Sequence, residues 1–234
     1  MDISILLTTY NRTQDCIQCL NKLLDQKRIG IEIILLDDYH ISDPILSTYC
    51  FNNGIKYIHT GAQKEGKVHW RVPGFAYNIG AKLAKGDFLI IGGAEMWHLT
   101  KDCIERMYDM KKITYPRVYD EPKKPNGDYR NYKRLNAKLP FCMGVSAAAY
   151  NYIGGYDEDF TGYCFDDNDF SDRITHILPL KEIAADVIHL WNPRGSENRG
   201  DPRINARAWK YNQEIYLSKE GSVIRNIDKE WGRL

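Results

Sequence analysis

The sequence predicts an α/β fold: a mostly parallel central sheet with helices on both faces, followed by a mixed second half. Three observations carry this expectation. Short apolar runs rich in β-branched residues recur through the first hundred residues. Stretches with helical periodicity separate them. Polar residues suited to ligand contacts stand where these runs end, and in parallel sheets ligands sit beyond the carboxyl ends of the strands.

The elements follow in order. Ile3 to Thr9 reads as a buried strand, and a helix from about Thr13 places Ile17, Leu20, Leu23 and Leu24 on one face. Ile31 to Leu36 is a second strand, with Asp37-Asp38 at its end. A short helix over 43–52 leads to a third strand, Ile55 to His59. After the polar stretch 60–72, a helix beginning near Pro73 carries Ala76, Ile79, Ala81 and Leu83, and Gly86-Asp87 separates it from a fourth strand, Phe88 to Ile91. Such alternation predicts right-handed βαβ units. Thr100 is the expected N-cap of a helix with Ile104, Met107 and Tyr108 facing inward. The alternation then stops. Residues 113–140 read as a long polar surface loop, Cys142 to Ala149 as a strand of small residues, Ala184 to Leu190 as another strand, and Arg203 to Leu217 as a helix.

The 234 residues suffice for one substantial core, and no interior linker is evident. A formal net charge of +1 argues against a polycation as a whole, though not against a local basic surface. The start, Met1-Asp2 and a short apolar run, lacks the basic flank and length of a signal peptide. No segment approaches the roughly 20 apolar residues of a membrane span. The six cysteines are scattered, and Cys16-x-x-Cys19 lies inside a helical pattern with no second pair, so buried reduced thiols and a cytoplasmic protein are expected.

The most informative stretch is Phe165-Asp166-Asp167-Asn168-Asp169, shortly after Gly154-Gly155-Tyr156-Asp157-Glu158. Acidic residues at a loop-to-helix junction favour the helix dipole, and Asp166 or Asn168 would serve as N-cap. A carboxylate fixed there can also take a proton from a sugar hydroxyl, and Asp167 is the chosen general base. The helix terminus is expected to lower its pKa, which secures ionisation at the expense of basicity. For a nucleotide, Thr8 and Tyr10 offer a hydroxyl and an aromatic face, while Asp38 offers an acceptor for base or ribose groups. Arg71, just before a helix start, suits a phosphate. Glu95 and His189, each following an apolar strand, are candidate ligands for Mg²⁺ or Mn²⁺.

Together these residues resemble the GT-A fold glycosyltransferases of family 2 over most of residues 1–192. Ile3 to Arg12 is similar to the family's opening strand, and Ile34-Leu35-Leu36-Asp37-Asp38 to its nucleotide-contacting one. Ala76-Tyr77-Asn78-Ile79-Gly80 through Phe88 looks like the stretch before the metal-binding D-x-D. Ile153 through Asp169 resembles a segment shared with galactosyltransferases. The resemblance implies an inverting transfer from a nucleoside-diphosphate sugar to a glycan or small-molecule hydroxyl. It assigns Asp167 as base, Asp166 and Trp191 to the acceptor, and Thr8, Tyr10, Arg12, Asp38, Arg71 and Asn78 to the donor. Glu95 and His189 take the divalent metal. It also implies a nucleotide-sugar half over 1–98, an acceptor half over 99–200 and a helical tail over 201–234. Two departures stand out: the D-x-D position reads Gly93-Ala94-Glu95, and Tyr77 replaces the usual arginine.

Two alternatives use the same residues. The basic and tyrosine-rich stretch 111–138, joined by Arg194, Arg199, Arg203 and Arg207, could grip a nucleic-acid acceptor, a less favoured reading than a solvated loop. A protein that binds nucleotide-sugars without transferring them is the third. The donor sugar, its base and any oligomeric state are not legible.

Overall fold

Among the described residues of the computed structural model, four parallel strands form one side of a nine-stranded sheet, ordered β3-β2-β1-β4. They are β1 (Ile3–Thr9), β2 (Ile31–Asp37), β3 (Lys56–His59) and β4 (Phe88–Gly93). The structure describes residues 2–26, 30–61, 72–125, 127–135, 139–162, 164–191 and 202–234, excepting the side chains of 202–205. Helices α1 (Thr13–Leu24), α2 (Pro44–Asn52) and α3 (Gly74–Leu83) connect the four strands.

The apolar alternation of the strands divides the interior into two layers. Ile3, Ile5 and Leu7 of β1, with Ile33 and Leu35 of β2, pack against Cys16, Leu20 and Leu23 of α1 and Leu46 and Cys50 of α2. Leu6, Ile34 and Leu36 point the other way, toward Ala76 and Tyr77 of α3. The buried stripe of α1 is Cys16, Cys19, Leu20 and Leu23, with Ile17 and Leu24 only partly covered. The C-x-x-C spacing is therefore a helix-packing pattern: both thiols are free and buried, and burial raises their pKa.

Beyond β4 the sheet is mixed. After β5 (Met96–His98) and α4 (Cys103–Met107) come β6 (Ile113–Asp120), β7 (Lys133–Arg134), β8 (Cys142–Ser146), α5 (Ala147–Tyr152), α6 (Asp166–Ile177), β9 (Leu180–His189) and α7 (Pro202–Ser218). The order continues β4-β8-β6-β9-β5, with β7 on β6. Strand β8 runs antiparallel to β4, and β6 runs parallel to β9.

Three expectations need correction. The stretch expected as a loop opens with the eight-residue strand β6, in which Thr114, Pro116 and Val118 are buried and Tyr115, Arg117 and Tyr119 are not. Its period-two pattern is hidden by Tyr and Arg on the outer face, and Pro116 falls at a register shift, the kind of position at which a strand tolerates proline. The strand expected through Ala149 ends at Ser146, whose hydroxyl accepts from the Ala149 amide and starts α5 on three alanines. Thr100 is not a side-chain cap: its hydroxyl accepts from the Asp186 amide, and α4 begins after Asp102.

Candidate active site

A cleft of about 100 Å³ opens at the carboxyl ends of β1, β2 and β4, lined by Thr8, Thr9, Tyr10, Arg12, Asp38, Pro73 and Glu95. Strand polarity explains its location, because each parallel strand releases its chain on the same side of the sheet. The chain leaves β1 through Asn11 in a left-handed conformation (φ 52°), tolerable for a short polar residue, and this turn delivers Arg12 to the cleft. Tyr10 packs edge-on against Tyr39, and Asp38 accepts a hydrogen bond from the Thr60 hydroxyl at 2.7 Å. Asp37 is spent inside the fold, accepting from the Tyr57 hydroxyl at 2.5 Å and from the amides of Tyr39 and Asp43.

Glu95 meets His189 because β5 pairs with β9, with Met96 opposite His189. Oε1 of Glu95 lies 3.5 Å from Nε2 of His189 and 3.3 Å from Nη1 of Arg12. Nδ1 of His189 is held by Asp120 at 2.8 Å, which leaves Nε2 as the nitrogen facing Glu95. Burial opposes ionisation of Glu95, yet His189 and Arg12 outweigh it and hold the carboxyl below its usual range. Burial likewise opposes a charge on His189, but Glu95 and Asp120 prevail and raise its pKa. The carboxylate lies over Gly93: a Cβ there would sit 2.6 Å from Glu95 Cδ. Gly93, where the resemblance puts the first D-x-D residue, thus makes room for the Glu95 side chain. A carboxylate oxygen and an imidazole nitrogen 3.5 Å apart, with a carboxylate behind the imidazole, could share one divalent cation. Among the described residues no cluster of three or more His, Cys, Asp or Glu side chains could do so.

The acidic run sits at the first turn of α6, as its pattern suggested, but the cap is Phe165 and it makes no side-chain bond. Cys164 and Phe165 both have positive φ (69° and 73°), a conformation costly for residues with a Cβ. The Phe165 ring is wedged between Trp209 and Tyr216 of α7, each at 5.5 Å, which holds the turn in place. Asp169 is structural, paired with Arg173 at 2.7 Å and Arg225 at 2.6 Å in the interior. Asp166 is buried and its Oδ2 has no partner. Burial and the neighbouring Asp167 push its carboxyl well up. Asp167 is half-buried and accepts from the Tyr156 hydroxyl at 3.4 Å. Its pKa is raised to about 6 by burial, with Tyr156 opposing. The expected lowering by the helix terminus is overridden, because the desolvation penalty is larger.

Tyrosines connect the cleft to this pair. Thr8 donates to the Tyr77 hydroxyl at 3.1 Å, the Tyr77 and Tyr156 rings lie 5.5 Å apart, and Tyr156 reaches Asp167. Tyr77 feels the charges of both Asp167 and Glu95. Gly74 permits this arrangement, since a Cβ there would fall 2.6 Å from the Tyr156 ring. Sequence reasoning treated Tyr77 only as a departure and missed Tyr156 and Asp120. The aromatic position of the Gly-Gly-Tyr motif was the available signal for Tyr156, whereas Asp120 lay in a stretch read as loop.

Asn78 has a different environment from the other expected donor contacts. It is fully buried, donating to the Tyr156 carbonyl and Glu158 and accepting from the Tyr150 hydroxyl and the Tyr156 amide. With these capacities used, it joins α3 to the Gly-Gly-Tyr turn and has nothing to offer a ligand. Arg71 lies outside the described residues. Trp191 follows His189 with its ring partly exposed and its amide donating to Glu121.

A parallel half-sheet with an aromatic and acidic cleft, joined to a mixed half carrying a second acidic pair, is the architecture of GT-A glycosyltransferases. The fold is shared with Staphylococcus aureus TarS 1–349 (TM-score 0.60, 14% identity, 81% of this chain and 60% of that one). A mannosyltransferase from Pyrobaculum calidifontis, PcManGT, solved with GDP-Man and Mn²⁺, is also similar (TM-score 0.56, 14% identity, 92% of this chain and 61% of that one). TarS 1–349 in complex with UDP-GlcNAc matches over 98% of this chain and 68% of its own, with TM-score 0.59 and 12% identity. The chain thus spans about three fifths of the length of the first two structures. No curated protein sequence matches it. The family model of glycosyl transferase family 2 matches residues 4–165, and the chain belongs to that family.

Proposed function

We propose that this protein is an inverting glycosyltransferase that moves a sugar from a nucleoside-diphosphate donor to an acceptor hydroxyl. The observation that carries the reading is the linkage Thr8–Tyr77–Tyr156–Asp167, which ties a carboxylate with pKa about 6 to a cleft furnished for a nucleotide. Family membership and the nucleotide-sugar complexes of TarS and PcManGT support the donor class.

In this mechanism Tyr10 and Asp38 receive the nucleoside and Arg12 compensates charge on the diphosphate. The acceptor oxygen attacks the anomeric carbon while Asp167 removes its proton. The bond to the diphosphate oxygen breaks, and the nucleoside diphosphate leaves with the electron pair. A single displacement of this kind inverts the anomeric configuration. A pKa of about 6 leaves Asp167 ionised at neutral pH yet more basic than an ordinary carboxylate. Asp166, buried beside it with its carboxyl pushed up by burial and by Asp167, contacts the acceptor. Trp191 supplies an apolar face for a sugar ring. Glu95 and His189 would hold a divalent cation, Mn²⁺ or Mg²⁺, whose Lewis acidity favours diphosphate departure.

A nucleic-acid acceptor is less well supported. Arg117, Arg130 and Arg134 of the basic stretch are paired with Asp186, Asp128 and Glu182. Arg194, Arg199 and the Arg203 side chain lie outside the described residues. No helix among the described residues is long and apolar enough to cross a membrane.

The test is incubation with UDP- and GDP-sugars and a panel of glycan acceptors, with the product's anomeric configuration read by NMR. Transfer with inversion is expected. Retention would remove the single displacement, and binding of every donor without turnover would leave a nucleotide-sugar-binding protein.

A further inference from the structure

Arg12 and a divalent cation want the same oxygen. Oε1 of Glu95 already faces the Arg12 guanidinium at 3.3 Å and the His189 imidazole at 3.5 Å. A cation shared by Glu95 and His189 would approach this oxygen closely, and two positive centres at that spacing repel strongly. The Arg12 and Glu95 side chains are 18% and 19% exposed, so the pair is accessible from the cleft. Arg12 occupies the N-cap position of α1, but its side chain makes no capping bond there, so repositioning the guanidinium breaks no helix cap.

We propose that Arg12 is an exchangeable counter-ion, neutralising Glu95 in the free protein and passing to the donor diphosphate when a divalent cation takes its place. This rests on the metal-assisted transfer reading above and adds a coupling to it. Metal alone binds weakly because it must displace a guanidinium. A diphosphate gives that guanidinium a bidentate partner, so each ligand strengthens the other by the same factor. The loss of the first D-x-D carboxylate adds to this dependence, since a single carboxylate must attract the cation against a resident charge.

The experiment measures Mn²⁺ binding by electron paramagnetic resonance, alone and with UDP or GDP, for the wild type, Arg12→Ala, Arg12→Gln and Glu95→Gln. Both Arg12 variants should bind Mn²⁺ alone at least about tenfold more tightly than the wild type, the effect of removing a unit charge a few Å away even with strong screening. They should also lose most of the gain in Mn²⁺ affinity that the diphosphate confers on the wild type. Melting temperatures establish that each variant is folded, and agreement of Ala with Gln separates loss of charge from loss of packing. If both variants leave the affinity for Mn²⁺ alone unchanged while Glu95→Gln abolishes binding, the exchange is wrong and the metal reading stands. If Glu95→Gln leaves Mn²⁺ binding intact, or no form binds Mn²⁺ with diphosphate, the metal reading fails and the exchange falls with it.

Discussion

Replacing Asp167 with Asn should make the protein more stable and far less active, with both effects following from the environment of one carboxylate. Burial raises the Asp167 carboxyl from its ordinary 3.8 to about 6. At 1.36 kcal/mol per pH unit, keeping it ionised at neutral pH costs the folded state about 3 kcal/mol. The sign follows from linkage. Between roughly pH 4 and 6 the folded protein holds a proton that the unfolded chain has released, so this group's contribution to stability falls as pH rises, and its full cost is present above 6. Asn removes the charge and can still accept from Tyr156. For a chain of this size 1 kcal/mol moves Tm by about 2–4 °C. The ceiling is therefore about 6–12 °C, and we expect about half, because a half-buried amide carries its own desolvation cost. Thermal denaturation followed by circular dichroism at pH 4 and pH 7.5 measures it: the Asp167→Asn variant should melt higher than the wild type at pH 7.5, with the gap closing toward pH 4. Loss of the base should lower kcat by about 10²–10⁴. In the wild type, kcat/KM should fall as pH drops through about 6. A gap that does not change with pH, or an Asn variant that melts lower at pH 7.5, would refute the desolvation argument. Retained turnover would refute the choice of base.

Two further outcomes test the supports of the site. Arg225→Ala leaves Asp169 and Asp157 short of a partner in the interior, and should cost about 3–5 kcal/mol in urea denaturation; a loss below about 1 kcal/mol would mean that the tail does not anchor α6. Asn78→Ala strands the Tyr156 amide and the Tyr150 hydroxyl and should cost about 2 kcal/mol or more. A raised KM for donor with unchanged stability would instead return Asn78 to the nucleotide.

Local patterns made the first half of the fold legible. Strands buried on both faces appear as continuous apolar runs; β1 ends at Thr9, β2 at Asp37 and β4 at Gly92-Gly93, two residues before Glu95, so these strands and the cleft at their carboxyl ends could be read residue by residue. The second half was less legible. Strand β6 faces one way with Thr114, Pro116 and Val118 and the other with Tyr115, Arg117 and Tyr119, and a polarity count sees only the latter. Asp120, which orients His189, vanished with that strand.

The residue types available for chemistry were set by the sequence alone: Tyr10, Asp38, Glu95, Asp167 and His189 were candidates from their positions at element ends. Their electrostatic states were not, because pKa depends on neighbours distant in the chain. Asp167 was expected to be lowered by its helix and is raised by burial, with the Tyr156 hydroxyl opposing. Asn78 looked like a donor contact and is consumed by the Gly-Gly-Tyr turn 78 residues away. Arg12 reaches the Glu95 carboxylate only because β1 and β4, whose chains lead into these two residues, are adjacent strands. Hydrophobic periodicity is a local property and survives in one dimension, whereas desolvation and charge pairing exist only once the chain has brought remote groups together.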